Sequence, residues 1–310
     1  MKTVVDPFKR TDSSLAGHAD KKALLPHHSS ERATAFSHPR DLLGNHFVYA
    51  VISSRARGLS LGVNMNPNRL CDFDCLYCEV DRRSANPALE LDVEVMSAEL
   101  RKTILFVQQG RLRELPCYRS FPEELLRLHH VALSGDGEPT LAPNFAEAVQ
   151  AVVRIRALGG FPFFKIVLLT NATGLDLHNV REGLQHFTKS DEIWAKLDGG
   201  SQAFLDKVNR PKVPLDKVLS NILNLARQRP VVIQSLFASI QGEEPSAEEI
   251  RQYAERLKEL KISGAQISLV QIYSAARPMS HEDCGHLPLK ALSEIAQVVR
   301  RETGLKTEVF

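Results

Sequence analysis

Asn66-Pro67-Asn68-Arg69-Leu70-Cys71-Asp72-Phe73-Asp74-Cys75-Leu76-Tyr77-Cys78 is the stretch on which the reading of this chain turns. Three thiols stand within eight residues in the spacing CxxxCxxC, directly after an apolar run of strand composition, Leu59–Met65. The cysteines therefore fall on a loop at the carboxyl end of a strand, the rim where parallel α/β sheets bind ligands. Thiolates are the ligands of iron-sulfur clusters, and this spacing lets one loop reach three corners of a cubane while a fourth iron stays open. A structural zinc ion or a cluster used only for electron transfer would each want a fourth ligand. Cys117 and Cys284 are isolated in the sequence, and no second cysteine or histidine pair has knuckle spacing. Cys71, Cys75 and Cys78 are thus read as the ligands of a 4Fe-4S cluster.

Outward from that loop, the chain alternates short β-rich runs with longer amphipathic segments, the pattern of repeated βα units around a parallel sheet. Strands are expected near Leu59–Met65, His130–Ser134, Lys165–Thr170, Glu192–Leu197, Val231–Phe237 and Ala265–Ile272. Helices are expected near Ser97–Gln109, Asn144–Leu158, His178–Phe187, Leu215–Gln228 and Ala247–Leu260. The fold predicted is α/β, a partial, TIM-like parallel (β/α)6 barrel. Residues 112–128, which hold Pro116, Cys117 and Pro122, read as an inserted loop or short helix. Residues 1–40 read as a flexible arm, 41–280 as the core, and 281–310 as a loop and a last helix, Pro288–Glu302, closing one end of the barrel.

With 310 residues, 43% hydrophobic and 25% charged, the chain can bury a full core. Five cysteines, three of them clustered, make no disulfide framework and suit a reducing compartment. No apolar run reaches eighteen residues and no signal-like segment opens the chain, so a cytoplasmic protein without membrane spans is expected. The net charge is +2, of which residues 1–40 carry +3 and leave the body at −1. No dedicated nucleic-acid surface is implied, although a local groove could still take RNA. The arm's histidines, His27, His28 and His38 among them, are irregularly spaced and read as solvated.

The other strand ends are polar. Leu133-Ser-Gly135-Asp136-Gly137-Glu138-Pro139-Thr-Leu141 forces a tight turn after a β run and exposes backbone polar groups. Thr170-Asn171-Ala172-Thr173-Gly174 ends the next strand as either a ligand-facing or a simple Asx turn. Period-two alternation puts Lys196 and Asp198 on one face, toward a polar interior or as a mutual ion pair. Gln234, Ser235, Gln266, Ser268 and Gln271 place neutral polar groups in otherwise apolar runs, where burial requires partners. Arg277 is a candidate anion contact. His281, Cys284 and His286 cluster after the last core strand without a defensible metal spacing.

CxxxCxxC with the aromatic Tyr77 before the third cysteine resembles the radical S-adenosylmethionine (SAM) superfamily. Ser60-Leu-Gly-Val-Asn, Gly137-Glu-Pro-Thr-Leu and Lys196-Leu-Asp-Gly-Gly look most like its wyosine-synthase-like branch, over about residues 45–280. The resemblance implies a 4Fe-4S cluster whose open iron chelates SAM. Reduction of bound SAM would give a 5′-deoxyadenosyl radical that abstracts hydrogen from a substrate. It further implies that Gly135, Asp136, Gly137, Glu138 and Pro139 form the motif facing the methionine amino group of SAM. Tyr77, Thr170, Asn171, Lys196, Asp198 and Gln234 complete the expected cofactor shell, with Ala172 standing where the family usually has glycine. An electron donor of flavodoxin or ferredoxin type is implied as partner. Wyosine-forming members act on transfer RNA and carry a second cluster on additional amino-terminal cysteines. No cysteine precedes Cys71, which speaks against wyosine synthesis itself and leaves another RNA, a peptide or a small metabolite as substrate, beside a non-catalytic electron-transfer role.

Overall fold

A computed structural model describes residues 42–80, 85–275 and 283–310. The arm 1–40, Arg277 and His281 lie outside the described residues. The six expected strands form, as β2 (Gly58–Asn64), β3 (Leu128–Ser134), β4 (Lys165–Thr170), β5 (Glu192–Lys196), β6 (Val231–Leu236) and β8 (Ile267–Tyr273). All are parallel neighbours in that order. The expected helices form as α1 (Val93–Gln108), α2 (Phe145–Ala157), α3 (His178–Leu184), α5 (Leu215–Ala226), α6 (Ala247–Ile262) and α7 (Leu289–Thr303). Alternate residues such as Leu61, Val63, Val131, Leu133, Ile166, Leu168, Ile193 and Ile233 belong with the helix faces to one large core. The opposite parity gives a small second cluster of Val167, Trp194 and Val232. The sheet thus has an apolar outer face under the helices and a mixed inner face.

Several features go beyond the expected (β/α)6 unit. β1 (Val48–Ser53) pairs antiparallel with β2 and forms one edge of the sheet. β10 (Thr307–Val309) pairs parallel with β8 and forms the other, giving an eight-stranded sheet. The last helix, expected to close one end of the barrel, is instead the crossover from β8 to β10. A run of three residues, Thr307–Val309, is too short to announce a strand by alternation; its pairing comes from the sheet edge that β8 offers. A short helix, α4 (Gln202–Val208), and a two-stranded ribbon of β7 (Ala238–Ile240) and β9 (Cys284–His286) were also unforeseen.

The insertion between α1 and β3 consists of three 3-10 turns, and it has a structural task. Unpaired edge strands invite foreign pairing, and β1 is capped by side chains. Glu99 of α1 accepts from the backbone N–H of His46, Phe47 and Val48 at 2.6, 2.8 and 3.2 Å. Tyr118, fully buried in the insertion, donates to the Ala50 carbonyl at 3.0 Å. Among the described residues, no helix is long and apolar enough to cross a membrane.

Candidate functional site

The carboxyl ends of β2, β3 and β4 converge on the cysteine loop, and backbone contacts lock them together. The Leu70 carbonyl, one residue before Cys71, accepts from Glu138 N at 3.0 Å. Gly137 is the close approach that permits this: a Cβ there would stand 1.8 Å from the Leu70 oxygen. On its other side the loop is held by the segment after α4. Leu76 N donates to Val208 O at 2.8 Å, Asp74 N to Asn209 O at 2.9 Å, and Lys212 N to Asp72 O at 2.9 Å. The loop is therefore clamped between the glycine turn and residues 208–212.

Glu138 is the knot of the turn. Buried, it accepts from Thr140 N and Oγ1 at 3.1 and 2.6 Å, from Thr170 Oγ1 at 2.5 Å, and from Asn171 N at 2.7 Å. Burial pushes its carboxyl above the ordinary glutamate value, against the pull of these donors. Those contacts tie the end of β3 to the end of β4. Asn171 reaches from there into the cysteine loop, donating to Asp72 Oδ1 at 2.7 Å with Cys71 Sγ at 3.9 Å. Ala172 has φ +69, so the position where the family usually places glycine does adopt left-handed backbone here.

Behind the cysteines lies a second knot. Asp198 is buried beyond the end of β5 and accepts from Leu236 N at 2.8 Å, from Asn209 Nδ2 at 2.8 Å and from the Tyr77 hydroxyl. Lys196 pairs with it at 3.3 Å, so the two charges satisfy each other as an ion pair. The same ammonium donates to the Tyr273 hydroxyl at 3.1 Å and lies 5.1 Å from the Tyr77 ring centroid. Burial alone would depress the lysine; the Asp198 charge and Tyr273 more than offset this and hold it above its usual value. Burial and the Asp198 charge raise the Tyr77 hydroxyl well above its own. Asn209 also donates to Cys75 Sγ at 3.3 Å, and burial, then Asp198, pushes that thiol up to about 12.

The three cysteines open into one cavity of about 390 Å³, within the size range of ligand sites. Of the residues expected to surround a cofactor, Tyr77, Gly135, Gly137, Glu138, Pro139, Thr170, Asn171, Lys196 and Gln234 line it. Asp136 and Asp198 do not. Asp136 turns outward beside β1, accepting from Asn64 Nδ2 at 3.0 Å. Asp198 lies just beyond the end of β5, buried under Lys196, Tyr77 and Asn209, and its pairing with Lys196 is the ion-pair alternative of the same-face reading. Gln234 donates to Gln271 Oε1 at 3.1 Å on the inner face, whereas Ser235 bonds Tyr253 of α6 at 2.6 Å. Ser268 and Gln266 donate to the backbone carbonyls of Val231 and Arg227. Cys284 and His286 lie on the β7/β9 ribbon, where His286 Nδ1 bonds the Ala275 carbonyl at 2.9 Å.

Several residues of the site carried no signal in the sequence. Asn209, buried behind the cavity, follows a short helix and meets Cys75 and Tyr77 across more than a hundred residues. Tyr49, Arg55, His130, Trp194 and Tyr273 line the cavity from the two sheet edges and from the inner face. His130 packs edge-on against Trp194 at 5.5 Å, and burial lowers it to about 3, so the imidazole is neutral. Their common signal was the inner-face parity, which needs strand register to be read.

The donor set fits an iron-sulfur cluster: all three thiols are free of disulfides, they share a cavity, and they sit on a loop fixed on both sides. No three His, Cys, Asp or Glu side chains converge as a single-ion site among the described residues. Sulfurs spaced along one loop match a ligand set in which each thiolate takes a different iron.

No family model matches the chain. A UPF0026 protein of Helicobacter pylori is 26% identical over 272 residues, 81% of this chain and 79% of that protein. A UPF0026 protein of Synechocystis is 31% identical over 179 residues, 56% of this chain and 57% of its own length. Among solved structures, a radical SAM methyltransferase from Sphaerobacter thermophilus aligns with a TM-score of 0.62 at 16% identity, over 87% of this chain and 70% of the other. TYW1 with a lysine-pyruvate adduct bound gives 0.54 at 14% identity, over 84% and 85%. Streptococcus suis SuiB bound to S-adenosylmethionine gives 0.52 at 16%, over 83% and 52%.

Proposed function

We propose that this chain, which has the fold of radical SAM enzymes, is itself one: it holds a 4Fe-4S cluster on Cys71, Cys75 and Cys78 and binds SAM beside it. When bound, the cluster and SAM supply reductive cleavage of the sulfur–carbon bond and a 5′-deoxyadenosyl radical that abstracts hydrogen from a substrate. The observation that carries the reading is the clamp on the cysteine loop. Three thiols, with no fourth cysteine in their cavity, are held against a glycine turn on the carboxyl rim of a parallel sheet.

The residues then divide the work. Glu138 fixes the turn so that Gly135, Gly137 and Pro139 present backbone to the cavity. Thr170 and Asn171 form the neighbouring wall, and Asn171 braces the loop at Asp72. Lys196 places a positive charge at the cavity surface, suited to a carboxylate such as that of SAM. Asp198, Tyr77 and Asn209 keep Lys196 and Cys75 in position from behind. A one-electron donor of flavodoxin or ferredoxin type would serve as reductant.

The test is anaerobic reconstitution with iron and sulfide, followed by dithionite and SAM. The expected products are 5′-deoxyadenosine and methionine, absent from a variant in which Cys71, Cys75 and Cys78 are alanine. Equal yields from both proteins would sink the reading. Because the fold hosts many chemistries, the substrate class has to come from the cavity's own side chains.

A further inference from the structure

The cavity has a second half, away from the cysteines, where the turn after β1 leans across to β8. Arg55 lies there on the wall, with its guanidinium carbon 4.1 Å from the centroid of the Tyr273 ring. Among the described residues, four charged side chains line the cavity: Arg55, Glu79, Glu138 and Lys196. Lys196, paired with Asp198, is the cation already assigned to the cofactor carboxylate, Glu138 is saturated by hydrogen bonds from the turn and β4, and Glu79 has a partner of its own. Among the described residues, no carboxylate pairs with Arg55 and no acceptor takes its N–H donors. Its neighbours on the wall, Trp194 and the neutral His130, add no compensating charge.

A guanidinium stacked on an aromatic ring is fixed in plane while its donors stay free at the edge, the arrangement that grips a carboxylate or phosphate bidentately. We propose that Arg55, laid on Tyr273, is the anion anchor for the substrate, and that the substrate is a small molecule carrying a carboxylate or phosphate group. This rests on the radical SAM reading of the same cavity. Among the described residues, Arg55 is the one lining cation without an acidic partner, which suits one anionic group. It does not suit a polynucleotide backbone, which calls for a basic stripe. Tyr273 also joins the two halves, since its hydroxyl accepts from Lys196. The proposed substrate anchor and the proposed cofactor cation thus both rest against Tyr273.

The experiment is a calorimetric titration of the reconstituted protein with benzoate, phenyl phosphate and the neutral benzamide, with and without saturating SAM. One charge-assisted anchor predicts that the better anion binds about tenfold or more tightly than benzamide. Whichever anion wins names the group. Arg55→Gln should erase the preference, and Arg55→Lys, which keeps the charge without the fork, should restore part of it. Both variants must match the wild type in circular dichroism and iron content. Equal binding of anion and amide, no anion binding, an undiminished preference in Arg55→Gln, or loss of anion binding when SAM is present would each overturn the proposal. SAM cleavage by the wild type is scored separately. Its absence defeats the radical reading, while the titration, which needs no turnover, still decides the anchor.

Discussion

Strand β5 begins and ends in a buried aspartate–cation pair, and the two pairs do different things. At its amino end, Asp191 takes both arms of Arg156 at 2.6 and 3.0 Å and accepts from Ile166 N at 2.8 Å and Thr188 N at 2.7 Å. At its carboxyl end, Asp198 also accepts a backbone N–H, that of Leu236, but its cation is Lys196, which lines the cavity. Its remaining partners are Tyr77 and Asn209, both of the cysteine-loop assembly. Arginine at the first end makes a bidentate fork that leaves the pair closed. Lysine at the second is a point charge that one carboxylate does not exhaust. One end of the strand ties layers together, and the other presents a charge to a ligand.

The largest expected effect breaks the closed end. Asp191→Ala leaves Arg156 buried without its partner, and losing one member of such a pair costs about 3–5 kcal/mol. Urea unfolding should show that loss, while the iron bound per folded chain stays at the wild-type value. A fall in iron content as large as the fall in stability would mean that the two ends are not separable.

The converse substitution is Asp198→Asn. It preserves the shape and one acceptor for Leu236 N, but it removes the charge that balances Lys196 and the acceptor for Tyr77. A charge-assisted hydrogen bond is worth about 1.5–3 kcal/mol, so the stability loss should be smaller than at Asp191. The readout specific to this end is the cluster: Asn209 reorients, its bond to Cys75 weakens, and iron incorporation falls several-fold. Normal iron content with normal SAM cleavage would remove Asp198 from the site.

How much of this contrast could be read beforehand follows from the range of the contacts. The core strands, the cysteine loop and the Lys196–Asp198 pairing were legible because each is a pattern within a few residues. β10 and α4 were not, being too short to show a period. Asn209 was not, because its identity matters only where residues 75, 77 and 198 meet. Asp191 was overlooked as well: a lone acid before a strand looks like a solvated turn, and Arg156 is 35 residues away.

Acid sharpens the comparison further. Burial alone would raise the Asp191 carboxyl, but Arg156, Ile166 N and Thr188 hold it below the ordinary aspartate value of 3.8. A carboxylate depressed in the folded state stabilises the fold fully above its unfolded pKa, and that contribution is lost as pH falls through the lower folded value. Wild-type urea midpoints should therefore drop steeply below about pH 4. Asp191→Asn, already less stable at pH 7, should show a shallower drop over the same range. Parallel curves would assign the acid sensitivity to other carboxylates.

The smallest effect is expected where an ion pair is exposed. Arg57, in the turn after β1, reaches Glu308 of β10 at 3.0 Å and links the two edges of the sheet, yet its side chain is 70% exposed. Solvent screening limits such pairs to about 0.2–1 kcal/mol, and Glu308 keeps a second cation in Lys306 at 3.1 Å. Arg57→Ala should therefore leave urea unfolding nearly unchanged. The neighbouring Arg55 would keep its seat on Tyr273, so anion binding should be retained as well. If Arg57→Ala instead weakens anion binding as much as Arg55→Gln does, the turn itself, positioned from β10, sets the anchor. The contrast between buried and exposed pairs would then have to include the gap between the sheet edges.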